Sequence, residues 1–245
     1  MILLPAIDIR DGHAVRLVQG DYARETVFDA DPLDAARRWV EQGAEALHVV
    51  DLDGAREGAP VNLEQIARIC EAVTVPVQVG GGLRRADDVS SVLGAGASSA
   101  VMGTAALSDP ALIEGLAAEH GERIVVAADS RDGKVAVEGW ERESTIGSQE
   151  LVAGLGARGV QRFIFTPVEV DGTLEGPEIE SLRGVAAAAA DAGAKLTYSG
   201  GVGSLAHLRE LAGLGLAALL GVIVGRALYD GAFTVAEGQR ALAGQ

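Results

Sequence analysis

A chain of 245 residues carrying a formal charge of −15 has no electrostatic attraction for nucleic acid or an anionic membrane. Its 48% hydrophobic content suffices for a large core, yet no apolar run reaches the roughly 18 residues of a membrane span. The start, MILLPAIDIRDG, lacks the basic n-region and cleavage site of a signal peptide, so the expected compartment is the cytoplasm.

In chain order, short apolar runs alternate with longer stretches of helical spacing. Strands are predicted at residues 2–8, 46–51, 76–80, 99–103, 123–129, 162–166, 195–200 and 221–225. Helices are predicted at 32–44, 62–73, 86–97, 109–121, 148–159, 178–194, 205–215 and 234–244, with Asp, Ser or Asn near many starts and Gly near many ends. Cys70, the one cysteine, falls in the apolar-periodic run LEQIARICEAV and reads as a small core residue. Eight strands alternating with eight helices predict an α/β fold, a parallel (β/α)8 barrel. An open doubly wound sheet would show fewer units and a glycine fingerprint after its first strand, where this chain has Asp8.

The chain also repeats itself. DIRDG at 8–12 returns as DSRDG at 129–133, VQVGGGLR as LTYSGGVG, and AVMGTAAL as VIVGRALY, at nearly constant offsets. Such a repeat predicts a single domain, residues 1–245, made of two similar half-barrels of about 1–121 and 122–245. Matching strand ends then face each other across the mouth, which sets Asp8 opposite Asp129 and one glycine cluster opposite the other. That geometry suits a long ligand with an anionic group at each end.

Gly81–Gly82 with Gly103, and Gly200–Gly201 with Gly225, follow strands and precede helices, where backbone N–H groups and a helix N-terminus can hold a phosphate. Thr104 and Arg226 would add a hydroxyl and a charge. Tight turns also need glycine, but four such turns paired by an internal repeat favour phosphate. Asp8 and Asp129 are either turn-capping carboxylates or a general acid and base. Asp11–Gly12 and Asp132–Gly133 read as hairpin turns that open the alternating HAVRLV and KVAVEGW segments over the mouth. Arg16 is a loop charge or a substrate clamp, and Trp140 is loop packing or a platform for an aromatic heterocycle. Thr166 and Asp171 stand where they can orient a ligand. The four histidines show no metal-ligand spacing, so no metal is expected.

Taken together, PAIDIRDGHAVRLVQGDY, LHVVDLDGA, VQVGGGLR, MGTAAL, FTPVEVDGTLEGP, SGGV and VGRALY resemble the histidine-biosynthetic isomerases that act on phosphoribosylformimino-5-aminoimidazole carboxamide ribotide. The resemblance covers essentially the whole chain. It implies a TIM barrel of two fused halves and a cofactor-free Amadori rearrangement of a small bis-phosphate; the expected state of the chain is a monomer. By resemblance Asp129 is the general acid for ribose opening, Asp8 the general base at C2, and Thr166 the active-site threonine. Arg16 and Trp140 then contact the substrate. Three alternatives stand beside this reading. The sister cyclase of imidazole glycerol phosphate synthase carries Cys two residues before its first aspartate, where this chain has Ala6, and a lysine near Arg16 that is missing here. A dual enzyme also isomerising phosphoribosylanthranilate has an arginine where this chain has Glu138, with Arg142 as a conceivable substitute. A non-catalytic phosphate-binding barrel is the third. Pro167 and Val170 depart from the family pattern in the loop after Thr166.

Overall fold

A computed structural model describes residues 1–18, 21–103, 105–137 and 142–244; the side chains of 16–18, 21–24, 105–106, 137 and 142–143 lie outside the description. Eight parallel strands form a closed barrel: Ile2–Arg10, Leu47–Asp51, Val77–Gly80, Ser99–Met102, Ile124–Ala127, Arg162–Phe165, Lys195–Ser199 and Leu219–Val224. They pair in that order, and the last returns to the first through Leu3↔Val222 and Leu4↔Ile223. That closing ladder rules out the open doubly wound sheet.

Strand alternation sorts the side chains into two layers. Leu4, Ala6, Val101, Val125, Ile164 and Ile223 form a cluster inside the barrel. Their sequence neighbours Leu3, Ile7, Val126, Phe163, Phe165 and Val222 face outward into a larger core shared with the helices. Each of the eight predicted helices is present, at Pro32–Glu41, Leu63–Ala72, Ala86–Gly94, Pro110–His120, Ser148–Gly156, Ile179–Asp191, Leu205–Gly213 and Val235–Leu242. The first shows why: Leu33, Ala36 and Trp39 recur at helical spacing and are buried, and Asp31 caps the start by accepting from the Leu33 N–H. That bond, followed by the pairing with Arg68, holds the Asp31 carboxyl below its usual range. Asp109, Ser204 and Thr234 cap three others through their side chains. Asn62 stands at a helix start without capping it, because its side chain is engaged elsewhere.

The last helix seals the barrel beside the first strand. Gln239 Oε1 accepts from the Leu3 N–H at 3.1 Å, and Gly238 lies so close to Leu3 that a Cβ there would sit 2.4 Å from Leu3 Cδ1. Cys70 is half-buried against the outer core, and burial pushes its thiol up to about 11. It is a thiol, not a thiolate, at neutral pH.

Two antiparallel additions rise from the C-terminal ends of strands one and five. His13–Val18 and Asp21–Asp29 extend the first strand, while Ser130–Arg131, Lys134–Val137 and Arg142–Gly147 make a separate three-stranded sheet. Both hairpin turns were legible as Asp-Gly pairs. Asp11 and Gly12 have φ of 49° and 77°, and Asp132 and Gly133 have 48° and 77°, the left-handed pair that a two-residue turn of this hand requires. Among the described residues no helix is long and apolar enough to cross a membrane.

Candidate active site

Asp8 occupies the next inward position after Leu4 and Ala6 on the first strand, beside Val50 of the second. Asp129 likewise follows Val125 and Ala127 on the inward face of the fifth. Strands one and five are diametrically opposed in an eight-stranded ring, so the two half-buried aspartates stand on opposite sides of the C-terminal mouth. Thr166, 5% exposed, stands directly beside Asp129. The fifth and sixth strands pair as Ile164↔Ala127, the ladder continues to a Ser130↔Pro167 bridge, and the Ser130 N–H donates to the Thr166 carbonyl at 2.8 Å. That register carries Thr166 onto the same inward face as Asp129.

The glycine pairs occupy the other two quarters of the mouth, after strands three and seven. Gly81 and Gly82 have φ of 108° and 75°, Gly200 and Gly201 103° and 74°, so the two turns are conformational copies. A Cβ on Gly82 would stand 2.1 Å from the Gly54 carbonyl oxygen, and one on Gly201 1.9 Å from that of Gly176. These glycines are therefore required by backbone packing as well as by left-handed φ. Gly103 differs: among the described residues nothing lies within 4 Å of a Cβ built there. Gly225 begins the short helix Arg226–Tyr229.

Around the second pair lies a small solvent-open pocket lined by Asp171, Gly172, Ser199, Gly200, Gly201, Gly225 and Arg226 among others. The Arg226 guanidinium donates to the Gly172 carbonyl at 2.7 Å and to Asp230 at 3.2 Å. It thus ties the loop after strand six to the pocket wall. Tyr198, beneath, accepts from the Glu178 N–H at 2.9 Å; burial drives its phenol pKa upward, which keeps the hydroxyl protonated. Thr104, Trp140 and Glu138 lie outside the described residues, as do the side chains of Arg16 and Arg142.

Sequence reasoning missed a buried polar junction between strands one and three. Asp51, 1% exposed, accepts from the N–H groups of Gly54, Val61 and Asn62 and from the Asn62 side chain. Asn62 Nδ2 reaches on to Asp53, which also takes the Asp11 N–H. The repeated Asp-Gly of 53–54 and 171–172 was the available signal. Asp51→Ala is expected to lower folding stability by about 3 kcal/mol or more, because three backbone donors lose their acceptor at about 1–3 kcal/mol each. Urea denaturation checks this, and a loss under 1 kcal/mol would contradict it.

A closed parallel β/α barrel whose mouth sets two aspartates on opposite sides is built as a barrel enzyme is built, with its chemistry at the strand ends. Similarity to known proteins narrows the class. The family model described as histidine biosynthesis protein matches residues 2–234, and the chain belongs to that family. A protein of Moorella thermoacetica, named 1-(5-phosphoribosyl)-5-((5-phosphoribosylamino)methylideneamino)imidazole-4-carboxamide isomerase, is 48% identical over 97% of this chain and 96% of its own length. Isomerases of the same name from Chloroflexus aggregans and Gloeothece citriformis are 45% and 46% identical, covering 97% and 99% of this chain and 96% and 93% of their own. Nothing in these relatives favours the cyclase or the non-catalytic barrel.

Proposed function

We propose that the chain catalyses the reaction named for these relatives, an aldose–ketose isomerisation of the bis-phosphorylated aminoimidazole carboxamide ribotide in histidine biosynthesis. The observation that carries the reading is the crossed arrangement of the mouth. Asp8 and Asp129 stand at the ends of one diameter, and the two glycine clusters lie along another. A ligand anchored by a phosphate at each cluster would lie with its central ribose between the carboxylates. Asp129 would protonate the ring oxygen as the C1–O bond opens to an imine, with Thr166 beside it. Asp8 would take the C2 proton, and return of a proton to C1 with collapse of the enol to a ketone completes an isomerisation without net gain or loss of atoms. In a reaction with this balance the acid and base suffice.

Gly81, Gly82 and Gly103, with Thr104, would hold one phosphate; Gly200, Gly201 and Gly225 would hold the other, with Asp171 and Arg226 at its edge. The open space beside Gly103 supports this reading, since among the described residues no contact demands glycine there. Arg16 and Trp140 complete the proposed substrate contacts. The same reading takes the chain as one barrel domain of two duplicated halves, about 1–121 and 122–245, which the paired turn dihedrals support. One chain supplies both carboxylates and both clusters, which supports a monomer as the working unit. The proposed compartment is the cytoplasm, because a bis-phosphate does not cross membranes unaided.

The test is turnover by the purified protein of the ribotide and of phosphoribosylanthranilate in separate assays. Turnover of the first alone is expected. Turnover of both would make the enzyme bifunctional, and turnover of neither would overturn the isomerase reading.

A further inference from the structure

Each catalytic aspartate is followed three residues later by a hairpin turn residue whose N–H points away from the hairpin's own ladder and needs an acceptor. In both halves that acceptor is a carboxylate from the next barrel loop. Asp11 donates to Asp53 Oδ2 at 2.7 Å, and Asp132 donates to Glu169 Oε1 at 2.6 Å.

Behind each carboxylate the structure leads on to a glycine cluster, by a different route in each half. Asp53 is fixed by Asn62 at 2.7 Å, and Asn62 by Asp51 at 2.7 Å. The Asp51 backbone is the surface on which Gly81 packs, so closely that a Cβ there would lie 2.1 Å from the Asp51 carbonyl oxygen. Glu169 belongs to the loop whose Gly172 carbonyl is held at 2.7 Å by Arg226, the residue after Gly225. In strand order, each connection runs from a catalytic strand through the next loop to the nearer glycine cluster.

We propose that Asp53 and Glu169 are positioning residues: each pins the hairpin that follows one catalytic aspartate to the neighbouring phosphate cluster, so that a substrate seated at that cluster holds the hairpin, and the carboxylate at its base, in register for proton transfer. The proposal rests on the isomerase reading for the roles of Asp8 and Asp129. The two pins differ in stiffness. Asp53 is locked into a buried network, whereas Glu169 is exposed and has a longer side chain, which makes the Asp129 hairpin the one that adjusts as substrate arrives.

The experiment compares Asp53→Ala and Glu169→Ala with Asp53→Asn and Glu169→Gln, which keep an acceptor oxygen. Two quantities are read: amide hydrogen exchange at Asp11 and Asp132 in the substrate-free protein, and kcat and KM for the ribotide. Glu169→Ala is expected to speed exchange at Asp132 at least about tenfold and leave Asp11 unchanged, and Asp53→Ala to do the reverse. Each alanine variant is expected to lower kcat about 10- to 100-fold with KM within about threefold, the scale of effect that misplacement of a reacting group produces. Glu169→Gln is expected to recover kcat to within about threefold of the parent. Unchanged exchange, kcat within twofold of the parent in Glu169→Ala, or failure of Glu169→Gln to recover it would overturn the proposal. Should Asp53→Ala fail to fold, the exposed Glu169 pair decides alone. If the parent itself does not turn the ribotide over, the isomerase reading fails while the exchange measurements still decide whether these carboxylates hold the hairpins.

Discussion

Asp8→Asn and Asp129→Asn are each expected to lower kcat for the ribotide by about 10³-fold or more, with KM within a few-fold of the parent. The size follows from what a positioned acid or base contributes, about 10²- to 10⁴-fold. The inward positions below Asp8 on its strand are Leu4 and Ala6, and those below Asp129 are Val125 and Ala127, none of which transfers a proton. KM should hold because the glycine turns that would bind the phosphates lie after strands three and seven, a quarter-turn from either aspartate. Amide for carboxylate keeps shape and hydrogen-bond count close to the original, so the variants should denature at the same urea concentration. If the two groups act in sequence on one substrate, the double variant should be little worse than the poorer single one. Steady-state kinetics on the three proteins checks this, and a single variant retaining a tenth of parental kcat would remove that aspartate from the mechanism.

The same residues show how far the chain could be read without coordinates. The strands and helices were legible because alternation within the barrel is strong: Leu3 and Leu4 diverge to two different cores, and the helices bury one face each. The Asp-Gly turns were legible because few residue pairs accept two consecutive left-handed conformations. Closure was legible only through the count of eight alternating units and the internal repeat, since Ile2↔Gly221 and its neighbours join the two ends of the chain and no local pattern encodes a contact of that span. The partners of the hairpins were not visible either. Arg142–Gly147 and Asp21–Asp29 carry too few apolar residues to announce strands, and they form because a preceding strand supplies the ladder. Asp51 and Asn62 looked like a strand end and a helix cap. Their roles depend on the loop between them folding back, which brings the Val61 N–H onto Asp51 Oδ2 at 2.7 Å.

Thr166 and Asp129 show how register creates a site from pieces that are 37 residues apart. Parallel strands offset in this way put one side chain from each onto the same inward step, and the step lies above the last apolar layer of the barrel. An insertion of one residue in either strand would send one of the two to the helical layer instead. The proposed catalytic arrangement is thus a property of the ladder as much as of the residue types, which is why the departures at Pro167 and Val170 leave Thr166 in place. Pro167 has no N–H to give, and the ladder asks none of it: the Ser130 and Val168 amides carry the bonds across this junction, at 2.8 Å each.

Gly201→Ala and Gly103→Ala are expected to fail in opposite ways, and the contrast separates glycine as a structural necessity from glycine as room for a ligand. At Gly201 the backbone has φ of 74° and a Cβ would be driven to 1.9 Å from the Gly176 carbonyl oxygen. That oxygen cannot retreat easily, because the Gly176 N–H is itself bonded back to the Gly201 carbonyl at 2.8 Å. Left-handed strain alone costs about 1–3 kcal/mol, and the backbone collision adds to it, so Gly201→Ala is expected to lose about 3 kcal/mol or more of stability. At Gly103 the φ is ordinary and, among the described residues, the space beside it is open. Gly103→Ala should therefore melt with the parent protein, while a methyl group pushed toward the proposed phosphate raises KM at least about tenfold, equivalent to about 1.4 kcal/mol of binding. Thermal denaturation beside steady-state kinetics tests both halves. A Gly103→Ala protein with parental KM would mean that the space beside Gly103 is not filled by substrate, and the first phosphate would then have to be sought at Gly81 and Gly82 alone.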